Sequence, residues 1–290
     1  MAAALFEVGY AVSIVSPIYG ERVYERDLRF LSDSRWRSAP VKLVRSFQPW
    51  TYYRTGVRMK LARKVLLRGN LAKSSLASLG RGYTRAFDEL LKHALAQPAA
   101  LYLGGTAGGL AVAACAAEQR AVPFALDLED FHSAEQDPSP EADLSHAIIT
   151  ELERRLLPRA TFLTGGSEPI SHAYAETYGV HVETIHNTFP LPPTPPRVAS
   201  NSSGQLRLFW FSQVIGLQRG LEDAIRAMGA ASLIGELHLL GHDSSENIDA
   251  LTKFSKKQAP QLKLVHHQPV SPEQIAPLAR QFDVGLSLEP

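Results

Sequence analysis

The chain has 290 residues, 45% of them hydrophobic and 20% charged, with a net charge of +1 and a single cysteine, Cys115. That composition excludes a disordered or collagen-like polymer and a disulfide-stapled scaffold, since no intrachain disulfide can form, and the lone thiol fits a reducing compartment. The near-neutral total hides an asymmetry: no Asp or Glu occurs between Ser34 and Phe87, where 13 Lys and Arg lie, which leaves the rest of the chain at −12.

The N-terminus, MAAALFEVGY, carries no positive leader region and only a short apolar run, so a secretory signal is not expected. Tyr10–Pro17 reads as a strand. Residues 20–80 are basic, aromatic and partly helical, and look like an insertion of about 34–87 on a sheet scaffold. Within it Val57–Arg68 has the spacing of an amphipathic helix, and Trp36, Phe47, Trp50, Tyr52 and Tyr53 lie among the cations. Basic residues interleaved with aromatics suit an anionic membrane surface. Nucleic acid is the competing partner and is not expected, because no binding motif is present; a solvated basic face is the plainer alternative. Ala99–Ala117 holds 19 residues without a charge, yet its Ala and Gly content and the GGTAGG run at 104–109 predict strand, turn and helix rather than a membrane span.

Strands are predicted at Ala100–Leu103, Pro123–Leu128, Thr161–Thr164 and Val182–His186, with helices near 83–96, 106–120, 141–157 and 168–178. The segment Phe189–Gln205 has five prolines between 190 and 196 and a Ser/Asn/Gly tail, and reads as a linker. Beyond it come strands at Leu206–Gln213, Leu237–Gly241, Leu262–His266 and Asp283–Leu288. They alternate with helices at Arg219–Gly229, Asn247–Gln258 and from Ser271 to about Gln281, the last opened by Ser271, Pro272 and Gln274 as a capping signal. The rhythm predicts an α/β chain of two doubly wound parallel-sheet domains, residues 1–188 and 206–290 with the linker between, and a cleft where they face each other.

Ligands of such sheets bind beyond the carboxyl ends of the strands. The loop SQVIGLQRG (212–220) there offers Gly216 and Gly220 for close backbone approach, Arg219 as a fixed cation and a helix N-terminus, which suits a phosphate; a plain βα turn with a surface arginine is the alternative. It matches neither a dinucleotide fingerprint nor a P-loop. DLEDFH (127–132) brings Asp127, Glu129, Asp130 and His132 to a strand end, as general acid/base or hydroxyl-binding groups, or else as caps and solvated acids. No metal-ligand set is visible. Ser167 in GGSEP reads as an N-cap. Asn187 ends the last strand of the first domain as ligand contact or turn cap, and His266 and His267 read as structural. Cys115 is expected in the core.

The segment LLPRATFLTGGSEPISHAYAETYGVHVETIHNTFPL (156–191), followed by LRLFWFSQVIGLQRGLEDAIRAM (206–228), LHLLG and LKLVHHQPVSPEQIAPLARQFDVGLSLEP (262–290), resembles GT-B glycosyltransferases of the group-1, family-4 type over roughly residues 100–290. The resemblance implies two Rossmann-like domains, the first for acceptor and the second for donor. The implied activity moves a sugar from a UDP- or GDP-sugar to a glycan or lipid-linked acceptor, with retention and without a metal or other cofactor, in cell-envelope or polysaccharide synthesis. The implied location is cytoplasmic, or peripheral on the inner face of the plasma membrane through residues 34–87. Arg219, Gly216 and Gly220 fall at the donor diphosphate, with Gly241 in the same donor set. Asp127, Glu129, Asp130 and His132 fall at the acceptor-facing cluster, Asn187 at the crossover, and Glu289 just before the acidic donor motif. Ser212 and Gln213 replace the usual Gly-Arg pair. Both ends look cut against the family pattern, the second domain being incomplete. An inactive nucleotide- or partner-binding module, or a sugar epimerase, are the alternative functions.

Overall fold

The computed structural model describes residues 1–21, 24, 27–28, 31–33, 35–134, 140–186, 188, 205–217, 219–242 and 245–288. Asn187, Glu289 and linker residues 189–204 lie outside them. The chain divides into two compact units, Met1–Phe189 and Pro190–Pro290.

In the first unit, β1 (Val12–Ile18) and β2 (Trp36–Lys42) form their own parallel pair. A second, wholly parallel sheet has the order β3 (Tyr102–Gly105), β4 (Phe124–Leu128), β5 (Leu163–Gly165), β6 (Glu183–Thr184). The unit's helices include α1 (Ala2–Glu7), α2 (Pro49–Arg68), α3 (Leu76–Tyr83), α4 (Phe87–Leu95), α5 (Thr106–Arg120), α6 (Pro140–Leu156) and α7 (Glu168–Tyr178). The uncharged stretch 99–117 folds as β3, a turn and α5. Its alanines let α5 sit close on the sheet, and Leu110 to Ala117 are all buried. Cys115 is among them, and burial pushes its thiol up to about 11, so it is packing rather than chemistry. The core continues through Leu126, Leu128, Ile148, Ile149, Leu152 and Tyr174.

The basic stretch, read as a partly helical insertion on the sheet scaffold, also contributes a strand. It supplies β2, which pairs with β1, and a 20-residue helix, α2, that begins at Pro49 rather than near 57. Pro49 opens the helix, where its missing N–H costs nothing. The helix predicted at 83–96 is α4, which starts at Phe87; a separate helix, α3, ends at Tyr83, and Thr84 between them is extended. Gly80 makes that corner possible, since a side chain there would run into the Phe87 ring and Ala111.

In the second unit, β7 (Leu206–Val214), β8 (Gly235–His242), β9 (Leu262–His267) and β10 (Val284–Gly285) form a parallel sheet of order β10-β7-β8-β9. Helices α8 (Leu221–Ala230), α9 (Ser245–Gln258) and α10 (Pro272–Ala279) connect them. Leu208, Trp210, Leu237 and Leu239 from alternate strand positions pack with Leu221, Ile225 and Leu251. The opposite face carries Phe209 and His238, covered by Phe282. The two phenyl rings stack at 4.7 Å and 3°, and His238 lies 4.5 Å from Phe282. The strand predicted at 283–288 is realised only at Val284–Gly285.

That polar face is built around paired imidazoles. His238 Nδ1 and His267 Nε2 are 2.8 Å apart, His238 Nε2 is 3.0 Å from Glu236, and Lys263 donates to Glu236 at 2.7 Å. Burial holds both imidazoles below the ordinary histidine range; at His238 the Glu236 carboxylate opposes the shift, and at His267 the neighbouring His266 adds to it. The unfolded chain therefore binds more protons than the folded one just below the free value of about 6.5, and stability falls as pH drops through that window. Urea unfolding at about pH 7.5 and pH 5.5 should give the lower midpoint at the acid end, and His238→Phe should flatten the difference. An equal loss in that variant would assign the pH dependence elsewhere.

Candidate functional site

In the second unit the strands step from β7 to β8 to β9 in one direction, and β10 then returns to the far side of β7. The reversal makes the carboxyl ends of β7 and β10 a topological switch point, the place where open α/β sheets take ligands. Ser212 and Gln213 stand at the end of β7, and Ile215–Gly220 lead into α8. Arg219, read in the loop at the terminus of the helix over 219–229, directly precedes Gly220, which is the N-cap with φ of +72°, and the helix begins at Leu221. Only glycine takes that backbone without strain. The sharp turn leaves the Arg219 side chain exposed beside the helix N-terminus, with Nη1 donating to Ser212 Oγ at 3.2 Å.

The loop is fixed from below. Ile215 is buried, its N–H bonds His242 O at 2.7 Å, and Asn247 Nδ2 donates to its carbonyl at 3.2 Å. Gly241 is spacing rather than contact: a Cβ there would come 2.6 Å from Ser212 O, so glycine lets β8 run beside the end of β7. Gly216 has room around it, and a Cβ on Gly220 would press on Leu288 at 3.0 Å, which brings the chain after β10 against the start of α8. Free N–H groups at the α8 terminus and the Arg219 guanidinium would favour an anion at that point. Glu222 and Asp223 in the first turn oppose this, and Asp223 is engaged by Arg226 at 2.5 Å.

In the first unit, Asp127, the last residue but one of β4, lies opposite Thr164 of β5 and accepts a hydrogen bond from its hydroxyl at 2.5 Å. Glu129 and Asp130 are exposed, and Glu129 O closes over Gly166, where a Cβ would sit 3.0 Å away. His132 departs from the expectation that it projects from the sheet edge. It is 3% exposed, and its backbone N–H bonds Tyr174 Oη at 3.1 Å. Thr106, at the neighbouring β3–α5 turn, has φ of +58°, an uncommon and strained value for a β-branched residue. Ser167 is the N-cap of α7 as read, without a side-chain capping bond.

A group not anticipated from sequence underlies this loop. Glu153 of α6 is wholly buried and accepts from Tyr174 Oη at 2.8 Å and Tyr178 Oη at 2.6 Å. Tyr174 Oη also lies 3.1 Å from Asp130 O. Burial, and the Glu153 carboxylate beside them, push both phenols well above the ordinary tyrosine range, so they remain hydrogen-bond donors. Tyr174 and Tyr178 stand one helical turn apart, and that spacing is visible in sequence; the partner on another helix is not. Tyr174→Phe should lower stability by about 2 kcal/mol, since it strips one carboxylate oxygen and the His132 N–H of a buried partner. Urea denaturation would measure it, and a change near zero would mean the loop is held by other contacts.

Among the described residues, no group of three or more His, Cys, Asp or Glu side chains is arranged to hold a metal ion. A concavity of about 800 Å³, lined by Phe162, Val180 and Ile185 among others, draws mainly on segments that precede β5 and β6, so it is not the DLEDFH loop's surface.

No family model matches the chain, and no curated protein does. Solved structures do. HepE from Anabaena, solved with UDP and glucose, superposes with a TM-score of 0.55 at 13% identity over 89% of this chain and 70% of that one. OtsA, solved in its apo form, gives 0.57 at 12% identity over 95% and 77%. HepE with UDP-glucose gives 0.51 at 13% over 88% and 68%. The protein thus has the GT-B fold of glycosyltransferases, with two Rossmann-like domains.

Proposed function

We propose that the protein is a glycosyltransferase that takes a sugar from a UDP- or GDP-sugar and places it on a glycan or lipid-linked acceptor. The observation that carries this reading is the switch point at β7 and β10, closed by the Gly220 turn, the α8 N-terminus and Arg219. HepE, which shares the fold, was solved with UDP, and a diphosphate fits the chemistry of that loop.

As the anomeric bond breaks, negative charge grows on the departing diphosphate. Arg219 and the α8 N–H groups stabilise it more in the transition state than before it, which is how they raise the rate. Ser212, hydrogen-bonded to Arg219, orients the guanidinium, and Gln213 adds an uncharged donor. Glu289, beyond the described residues, is assigned to hydroxyls of the donor, and Asn187 to the crossover. On the acceptor side Asp127, Glu129 and Asp130 bind or deprotonate the acceptor hydroxyl, while His132 orders their loop. Retention and independence of metal belong to the same proposal, as do a role in envelope polysaccharide synthesis and a cytoplasmic location. Among the described residues no helix is long and apolar enough to cross a membrane.

Calorimetric titration with UDP and with GDP, followed by a donor-hydrolysis assay, tests the reading. Binding of one nucleotide with release of sugar from its donor supports a transferase. Binding without turnover favours a nucleotide-binding module, and no binding of either overturns the assignment of the switch point.

A further inference from the structure

Helix α2 has the least explained surface of the molecule. It is 20 residues long, about 30 Å, and carries no acidic residue. Its inward side is satisfied by protein: Thr55 and Leu66 are buried, Arg54 and Arg58 pair with Glu89, Arg58 and Arg81 share Asp88, and Arg85 covers the Tyr52 ring. Four of the 13 cations of the basic block are thereby engaged by the protein itself. The outward side is different. Trp50, Tyr53, Val57, Leu61 and Val65 recur every three or four residues and are between 50% and 80% exposed. At a helical period these five share one face. Lys60, Lys64 and Arg68 emerge from the same arc, with no ion-pair partner among the described residues.

We infer that α2 is an in-plane docking surface for an anionic lipid bilayer. The pattern decides among partners. A protein interface concentrates apolar side chains at a dry centre and is depleted of lysine there, whereas here lysine and apolar positions alternate along one arc. Nucleic acid would use the cations but gives five exposed apolar side chains nothing to contact. A bilayer uses both: the apolar groups enter the boundary of the acyl chains, the long cationic stems run beside them to the phosphates, and Trp50 and Tyr53 sit at headgroup depth. The inference goes beyond sugar transfer and holds whatever reaction the protein performs.

The test is flotation of the full chain with vesicles of phosphatidylcholine alone and of phosphatidylcholine and phosphatidylglycerol in equal parts. Binding to the anionic vesicles is expected to exceed that to the neutral ones. It should fall on the order of a hundredfold in Lys60→Gln/Lys64→Gln/Arg68→Gln, at roughly fivefold per cation, and be lost in Val57→Asp/Leu61→Asp. All five positions are solvent-exposed, so thermal melting of both variants should match the parent and exclude misfolding. Equal binding to the two vesicle types would overturn the inference, as would anionic binding that the substitutions leave unchanged. So would absence of binding together with a concentration-dependent dimer, in sedimentation, that Val57→Asp/Leu61→Asp dissolves.

Discussion

Arg219→Ala is expected to cut turnover roughly a hundredfold, with little effect on folding. The side chain is exposed, and Ser212 Oγ is its hydrogen-bonded neighbour, so its removal opens no cavity and leaves no buried group unpaired. What it removes is a cation fixed beside the α8 N-terminus, where the proposed reaction has a leaving diphosphate gather charge. An interaction that strengthens as charge develops appears in kcat more than in KM. Arg219→Lys should recover part of the rate, because the charge returns without the planar fork. The decisive comparison is single-turnover transfer by the parent and the two variants at saturating donor. An unchanged rate in Arg219→Ala would take this residue out of the mechanism and leave the helix terminus alone to hold the diphosphate.

Gly229→Ala is expected to be the most damaging single change to the second unit, at about 3 kcal/mol or more. Gly229 lies near the end of α8 against Gln258 and Ala259 at the end of α9, and an added Cβ would fall deep inside the Gln258 carbonyl oxygen. That neighbour is backbone and cannot rotate away, so α8 has to lift from α9. Both helices cover the face formed by Leu208, Trp210, Leu237 and Leu239. No residue assigned to the donor site is altered, yet nucleotide binding should weaken because α8 carries the N-terminus that serves it. Urea unfolding followed by Trp210 fluorescence, read together with UDP titration, separates the two effects. A native-like midpoint would mean that α8 and α9 have room the close approach denies.

Much of this arrangement is legible in the sequence where turn chemistry is sharp. Helices at 106–120 and 168–178 have the limits that GGTAGG, Pro169 and Gly179 impose. Strand ends are less legible, because pairing depends on a neighbour: the apolar run 283–288 is a candidate strand throughout, but only Val284 and Gly285 find a ladder on β7. The Arg219 loop was legible as a βα turn. Its detail was not, since the left-handed Gly220 that moves Arg219 off the helix is a backbone choice other residues around it determine. The basic block misleads in a specific way. Composition counts all of its arginines alike, whereas folding turns Arg54 and Arg58 toward Asp88 and Glu89 and leaves Lys60, Lys64 and Arg68 outside. His132 is the converse case, a polar residue in a polar motif that the fold buries against Tyr174. Glu153 could not be found at all without the fold, because its two phenol partners are more than twenty residues away on another helix.

The proposed function places a nucleoside diphosphate at the carboxyl ends of β7 and β10 against the start of α8. Hydrogen exchange of the full chain with and without UDP or GDP tests it most directly. Slowed exchange is expected in the amides of residues 214–223, confined to that loop and first turn in the second unit, with loss of that protection in Arg219→Ala. Protection elsewhere in the second unit with these amides unchanged would contradict it.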